Sequence, residues 1–250
     1  MNDKNKKLKI IKSEIFSKFP ELKFGISTRY YNGAEAPFYF NLSYRVGDKC
    51  ENVRKHRKTF FNELGIDQGR VSFQRQTHSV FSNNVSEPKF FEESDALYTN
   101  TKNNFLAISI ADCIPVFLYE PEKKIAVGIH SGWKGTLNKI TTVTIEKLKK
   151  DFYINTENIF AYIGPGISLQ HFEVGKDVFD LFENDVKEIR NGKYFLDLKK
   201  HNYLQLISLG IQSVNIEVSD YCTYKEKDLF HSYRRDKDKS GRMIGVIGLI

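Results

Sequence analysis

Cysteine is scarce in this chain: Cys50, Cys113 and Cys222 are the only three among 250 residues. An odd number at wide spacings makes a poor disulfide framework and suits a reducing compartment, where thiols remain free as ligands or nucleophiles. Long apolar runs are also missing. No stretch reaches the roughly 18 residues that a membrane helix needs, so no membrane partner is expected. The basic N-terminus MNDKNKKLKIIKSEIF carries neither an apolar signal region nor a small-residue cleavage site, and a cytoplasmic location is expected from it. Repeats, low-complexity tracts and Pro/Gly/Ser linkers are absent, so residues 1–250 read as one domain. Zinc-finger, KH and RNP signatures are absent as well. The lysines behind the formal charge of +7 alternate with acids, as in EKLKKD and YKEKD, which argues against nucleic acid. A smaller anion, phosphate or a phosphorylated metabolite, fits that excess as well.

What is present is a set of short β-branched and aromatic runs: FLAISI (105–110), PVFLYE (115–120), IAVGIH (125–130) and IFAYIG (159–164). Their length and composition predict buried strands, and Pro121 in EPEKK predicts a hairpin between the second and third. VSFQ, IEVSD and the closing MIGVIGLI read as further strands. After Gly135 the period changes: Leu137, Ile140, Ile145, Leu148 and Phe152 share one side of a helical wheel, predicting an amphipathic helix directly after SGWKG. A second helix is expected after EVG, with Val174, Val178, Leu181 and Phe182, and a third through NYLQLISLG with Gly210 as its stop. Strands interleaved with helices, plus a hairpin, give an α/β or α+β layered architecture with a mixed sheet.

Four polar clusters interrupt this pattern. His78 follows the VSFQ strand in QRQTHS. Asp112 and Cys113 lie where the FLAISI strand ends; a thiol there can be a small core residue, but a carboxylate beside it needs partners or solvent. His130 ends a strand in GIHSGWKG, where Gly132 and Gly135 allow close backbone approach and Lys134 adds charge that suits an anion. Arg234, Arg235 and Arg242 lie in FHSYRRDKDKSGR, and arginine forks match phosphate and carboxylate. Taken together, one Cys and two His at strand ends match the N/N/S donor set of a zinc site with an open fourth position. The same residues also suit a nucleophile with its base, Cys113 with His130. Spacing does not choose between them, because the chain has no C-x-x-C or H-E-x-x-H.

QTHS, ADCIPVFLY, IHSGWKGT, IGPGISLQHFEVG and SYRRD followed by GR occur in this order. With FGISTR, NLSYRVGD and VRKHR upstream, the chain resembles the YfiH family over nearly its whole length. Members of that family have been called multicopper polyphenol oxidases or laccases, and later purine nucleoside phosphorylases. The resemblance implies a single layered α/β/α-type domain around a mixed β-sheet. It implies one zinc on His78, Cys113 and His130, with copper as an alternative occupant. The activity implied is phosphorolysis of adenosine, inosine, guanosine or methylthioadenosine, with adenosine deamination as a second reaction. Purine nucleosides and phosphate are then the partners of a monomer or homodimer. Within this reading Asp112, Cys113 and His130 are the catalytic candidates, Asp112 as a proton carrier, and Arg45, Lys134 and Arg234 are the candidates for phosphate. This chain departs from most relatives at Ser79, where they have glycine, often at Ser131 and Lys134, where they have A-G-W-R-G, and from some at Gly166, where they have cysteine; a lysine in place of an arginine fork offers phosphate only a point charge. Six histidines are too few for a full multicopper set, which weighs against a laccase. A Cys–His hydrolase or amidase acting on peptidoglycan precursors is the remaining alternative that the family suggests.

Overall fold

The computed structural model describes residues 8–31 and 33–250; the basic residues 1–7 lie outside the described residues. Its centre is the expected hairpin, Ile114–Glu120 paired antiparallel with Ile125–Ser131, and every residue of both strands is buried. That explains why these runs are apolar without alternation: each face of the hairpin has a layer packed on it. The hairpin sits inside a six-stranded sheet in the order Ile216–Val218, Phe160–Ile163, Ile114–Glu120, Ile125–Ser131, Ala96–Thr99, Ser82–Asn84.

A second six-stranded sheet runs Ile10–Ile11, Leu22–Ser27, Met243–Leu249, Phe105–Ile110, Val71–Gln74, Phe90–Phe91. It is mixed, because Phe105–Ile110 pairs antiparallel with Met243–Leu249 and parallel with Val71–Gln74. The two sheets pack face to face through Phe24, Ile26, Leu106 and Ile108 on one side and Phe117, Tyr119 and Ala126 on the other. Glycine permits the close approach. A Cβ built on Gly245 would meet the Phe117 ring at 2.5 Å, and one on Gly128 would meet Ile108 at 2.9 Å.

Helices cover the outer faces. Cys50–Glu63 buries Phe60 and Phe61 against Ala107, Ile244 and Val246 of the second sheet. Ile140–Phe152 and Leu198–Ser208 cover the hairpin sheet through Ile140, Ile145, Leu148 and Leu206. The chain is therefore a layered α/β protein with mixed sheets, as expected, and the β layer between the helices is double. A small antiparallel sheet of Glu173–Val174, Lys193–Leu196 and Lys187–Arg190 flanks it. Among the described residues no helix is long and apolar enough to cross a membrane.

Local differences from the sequence reading have physical causes. The helix after SGWKG is two helices, Trp133–Leu137 and Ile140–Phe152, broken where Lys139 adopts a left-handed backbone at φ 59°. The helix expected after EVG is a single turn, Lys176–Phe179, which turns Leu181 out to solvent while Phe182 stays in the core. Gly210 does end Leu198–Ser208, with φ +86°, the left-handed geometry of a helix stop.

Candidate functional site

The chain crosses from one large sheet to the other in three residues, Ala111 to Cys113, between strand ends Ile110 and Ile114. The turn needs a left-handed residue, and Asp112 takes it at φ 87°, a costly conformation for a side chain that is not glycine. Its carboxylate holds the turn: Oδ1 accepts the Thr223 hydroxyl at 2.7 Å and Oδ2 accepts the Arg234 amide at 2.6 Å. The Asp112 carbonyl accepts the Ile167 amide at 2.8 Å. Cys113, half-buried, is thereby fixed at the seam between the sheets.

Two histidines meet it there. His130 comes from the end of Ile125–Ser131 and is 5% exposed, while His78 is exposed on the loop after Val71–Gln74. One ligand atom from each of His78, Cys113 and His130 lies within 4.8 Å of the others. Gly132 makes room for this meeting: a Cβ there would lie 2.5 Å from His78 Nδ1 and 3.0 Å from Cys113 Sγ.

Asp95, which the sequence reading did not single out, organises the cluster. Its Oδ1 lies 2.8 Å from His130 Nδ1, so this nitrogen carries the proton and Nε2 is left for an ion. Asp95 also accepts the backbone amides of Thr77, His78 and Ser79. Burial disfavours a charged His130, but the Cys113 sulfur and the Asp95 carboxylate outweigh it and raise its pKa to about 9. Burial, with the charge of His130, holds His78 below the usual range. Burial pushes Asp95 up, and its bonds to His130 and Ser79 more than reverse this. Two imidazoles and a thiolate, with one imidazole oriented by a carboxylate, form a donor set that fits zinc or copper.

The three donors stand on the wall of a cavity of about 800 Å³ whose other lining includes Arg45, Arg57, Arg242, Tyr44, Phe90 and Tyr233. Arg57 donates to the Leu42 carbonyl at 2.7 Å and stacks over Phe73 and Tyr44 at 4.1 and 4.5 Å; burial lowers its pKa to about 10, which leaves it cationic at neutral pH. Arg242 donates to the Ser240 and Gly241 carbonyls and lies 5.5 Å from the Tyr233 ring centre.

The structure thus brings His78, Cys113, His130 and Arg45 to one cavity. It does not bring Asp112, Lys134 or Arg234 to that wall. Asp112 is committed to the turn. Arg234 directs its guanidinium to the Glu173 carbonyl at 2.8 Å and lies over Phe172. Lys134 is exposed, with Nζ 5.5 Å from the Trp133 ring, and reaches the site through its charge on His78. Sequence reasoning missed Asp95 and Arg57 as site residues. Asp95 had only a faint signal: it stands directly before the apolar ALYT run, but it closes the acidic stretch EESD, in which Glu92 and Glu93 are exposed surface residues.

A double β layer with three convergent donors at its seam and a cationic cavity beside them defines a layered α/β protein with a candidate single-ion centre. The chain belongs to the family described as multi-copper polyphenol oxidoreductase laccase, whose model matches residues 23–250. It is 33% identical over 243 residues to the purine nucleoside phosphorylase YlmD of Bacillus subtilis, covering 90% of this chain and 87% of that one. It is 36% identical over 239 residues to a purine nucleoside phosphorylase of Clostridium acetobutylicum, covering 93% and 94% of the two chains. Among solved structures, the YfiH protein of Bacillus licheniformis superposes with a TM-score of 0.87 at 32% identity over 94% of each chain. YlmD of Geobacillus stearothermophilus gives 0.86 at 28% identity, over 92% of this chain and 93% of that one.

Proposed function

We propose that this protein is a zinc-dependent purine nucleoside phosphorylase that takes adenosine, inosine, guanosine and methylthioadenosine, with adenosine deamination as a second activity. The observation that carries the reading is the placement of the His78, Cys113 and His130 donors in the same cavity of about 800 Å³ as Arg45, Arg57 and Arg242. The names of the Bacillus subtilis and Clostridium acetobutylicum relatives support it.

Phosphorolysis needs an oxyanion held beside the sugar and stabilisation of positive charge as the glycosidic bond breaks. A phosphate oxygen bonds to the anomeric carbon, the bond to the purine breaks, and its electron pair leaves on the base, which takes up a proton. Arg45, Arg57 and Arg242 are the residues that hold the phosphate, because guanidinium forks match its oxygens. Tyr44, Phe90 and Tyr233 offer ring faces for the purine. His78, Cys113 and His130 would hold the metal. When bound, zinc supplies Lewis acidity that polarises a substrate oxygen or lowers the pKa of water, the latter serving deamination. In this reading Asp112 shapes the turn that presents Cys113, and the proton carrier is left to the cavity side.

The test is chromatography of inosine with and without phosphate, paired with metal analysis. Hypoxanthine and ribose 1-phosphate that appear only with phosphate, in a protein holding about one zinc per chain, support the reading. Base release that ignores phosphate, or no release, overturns it.

A second reading has a specific observation in its favour: His130 stands between Asp95 and the Cys113 sulfur, the order of a Cys–His–Asp hydrolase triad. Hydrolysis of an amide in a peptidoglycan precursor by chelator-treated protein selects it. The His₂Cys set also suits copper, so the same metal analysis decides whether phenol oxidation is worth assaying.

A further inference from the structure

We infer that Asp95 is the positioning residue of the three-donor centre, a single buried carboxylate that fixes both histidine ligands and balances the charge of the ion they hold. The inference rests on the proposed function only in that an ion binds; it does not depend on which reaction follows.

Asp95 is fully buried at the entry of Ala96–Thr99. Its Oδ1 meets His130 Nδ1 at 2.8 Å and the His78 amide at 3.1 Å. Its Oδ2 accepts the Ser79 amide at 2.7 Å, the Ser79 hydroxyl at 2.8 Å and the Thr77 amide at 3.1 Å. The Asp95 carbonyl takes the His130 amide at 2.7 Å. One residue therefore ties the loop bearing one histidine to the strand bearing the other.

The two histidines need this for different reasons. His78 has φ 60°, a left-handed backbone that is uncommon for a residue with a side chain and persists where its surroundings over-determine it. Three successive amides converging on one carboxylate supply that restraint. His130 has a relaxed strand backbone but two ring nitrogens to choose between, and the bond at Nδ1 leaves Nε2 for the ion.

Charge makes the third argument. Among the described residues, no lysine or arginine pairs with Asp95: its partners are His130 Nδ1, backbone amides and hydroxyls. A divalent cation bound to the Cys113 thiolate leaves one positive charge uncompensated beside a buried His130 ring. The Asp95 carboxylate, one imidazole away, neutralises it.

The test is a cobalt(II) titration of the metal-stripped protein, read by the thiolate-to-cobalt charge-transfer band and by competition with a chelator. Asp95→Asn keeps the shape, removes the charge, and turns an amide donor toward backbone donors. Expected is unchanged far-UV circular dichroism with a displaced band and affinity about 10- to 100-fold lower, the range for residues that orient metal ligands. A purely structural role would move stability and leave the band where it is. A folded Asp95→Asn protein with wild-type affinity and band overturns the inference. If that variant does not fold, Ser79→Ala decides, because Ser79 binds no metal yet donates its hydroxyl to Oδ2. Weaker cobalt binding there supports the inference, and wild-type affinity with an unmoved band overturns it. Wild-type protein that takes no cobalt sinks the metal reading itself. Wild type that takes cobalt but, reloaded with zinc, turns over no nucleoside sinks only the proposed reaction.

Discussion

Two sulfur–imidazole pairs stand out among the described residues, and they differ in almost everything except the contact. Cys222 Sγ lies 3.6 Å from His171 Nδ1, with the Ser168 amide donating to the sulfur at 3.4 Å and the His171 ring stacked on Tyr224. Burial holds His171 below its usual pKa, whereas the Cys113 sulfur and the Asp95 carboxylate around His130 raise that residue to about 9. Cys113 and His130 have a third donor in His78, a carboxylate behind one ring, and a cavity in front. A thiol beside an imidazole is thus ordinary packing. Chemistry enters with the third donor, the buried charge and the open face.

The sharpest way to break the comparison is to remove each sulfur in turn. Cys113→Ala is expected to lose bound metal and phosphate-dependent base release altogether, while Cys222→Ala keeps both; metal content per chain and product chromatography read the two. A Cys222→Ala protein without metal would mean that the pairs have been assigned the wrong way round.

Gly132→Ala comes next. Its added methyl group would press on His78 and Cys113 together, so metal affinity should drop by tenfold or more, with overpacking costing about 1–3 kcal/mol of stability. Chelator competition and thermal melts measure these. A tolerant Gly132→Ala would show that the ligands can shift apart without penalty.

Arg242→Ala should raise the KM for phosphate about tenfold, the effect of losing one charge-assisted hydrogen bond worth about 1.5 kcal/mol, and leave metal content alone. A change in nucleoside KM with phosphate KM unmoved would assign this arginine to the other substrate.

The smallest effect is a matter of order. In native protein, alkylation should reach exposed Cys50 first, Cys113 after a chelator is added, and Cys222, at 3% exposure, last. Mass spectrometry of peptides gives the sequence of events, and Cys222 reacting alongside Cys113 would erase the distinction between buried and ligated sulfur.

Much of the fold was legible because its strands are short and fully buried. FLAISI, PVFLYE, IAVGIH and MIGVIGLI leave no polar face that would make them helices, and each is a strand. The division of those strands between two sheets was not legible, because pairing partners such as Leu22–Ser27 and Met243–Leu249 are far apart in the chain. The break at Lys139 escaped a wheel that Leu137 and Ile140 both fit, since periodicity carries no sign of one left-handed residue. Of the site, the three donors were visible as polar residues at strand ends whose chemistry allowed either a metal set or a Cys–His pair, and the resemblance chose the metal set. Arg57 was not visible, because its helix residue reaches the cavity only through the packing of Cys50–Glu63 on the sheet. Arg234 was a phosphate candidate because arginine forks match phosphate; in the structure its guanidinium donates to the Glu173 carbonyl, away from the cavity wall.

The crossover from Ile110 to Ile114 gives the donor cluster a mechanical meaning. His78 follows a strand of one sheet, His130 ends a strand of the other, and Cys113 is the stitch between them. An ion held by all three is a rivet through two plates. Any slip of one sheet across the other would pull the donors apart before it disturbed the greasy interface far from the rivet. Loading the ion should therefore slow amide exchange at the neighbouring ends of both sheets together, adding a tie between layers that otherwise meet through packed side chains and the chain's own crossovers.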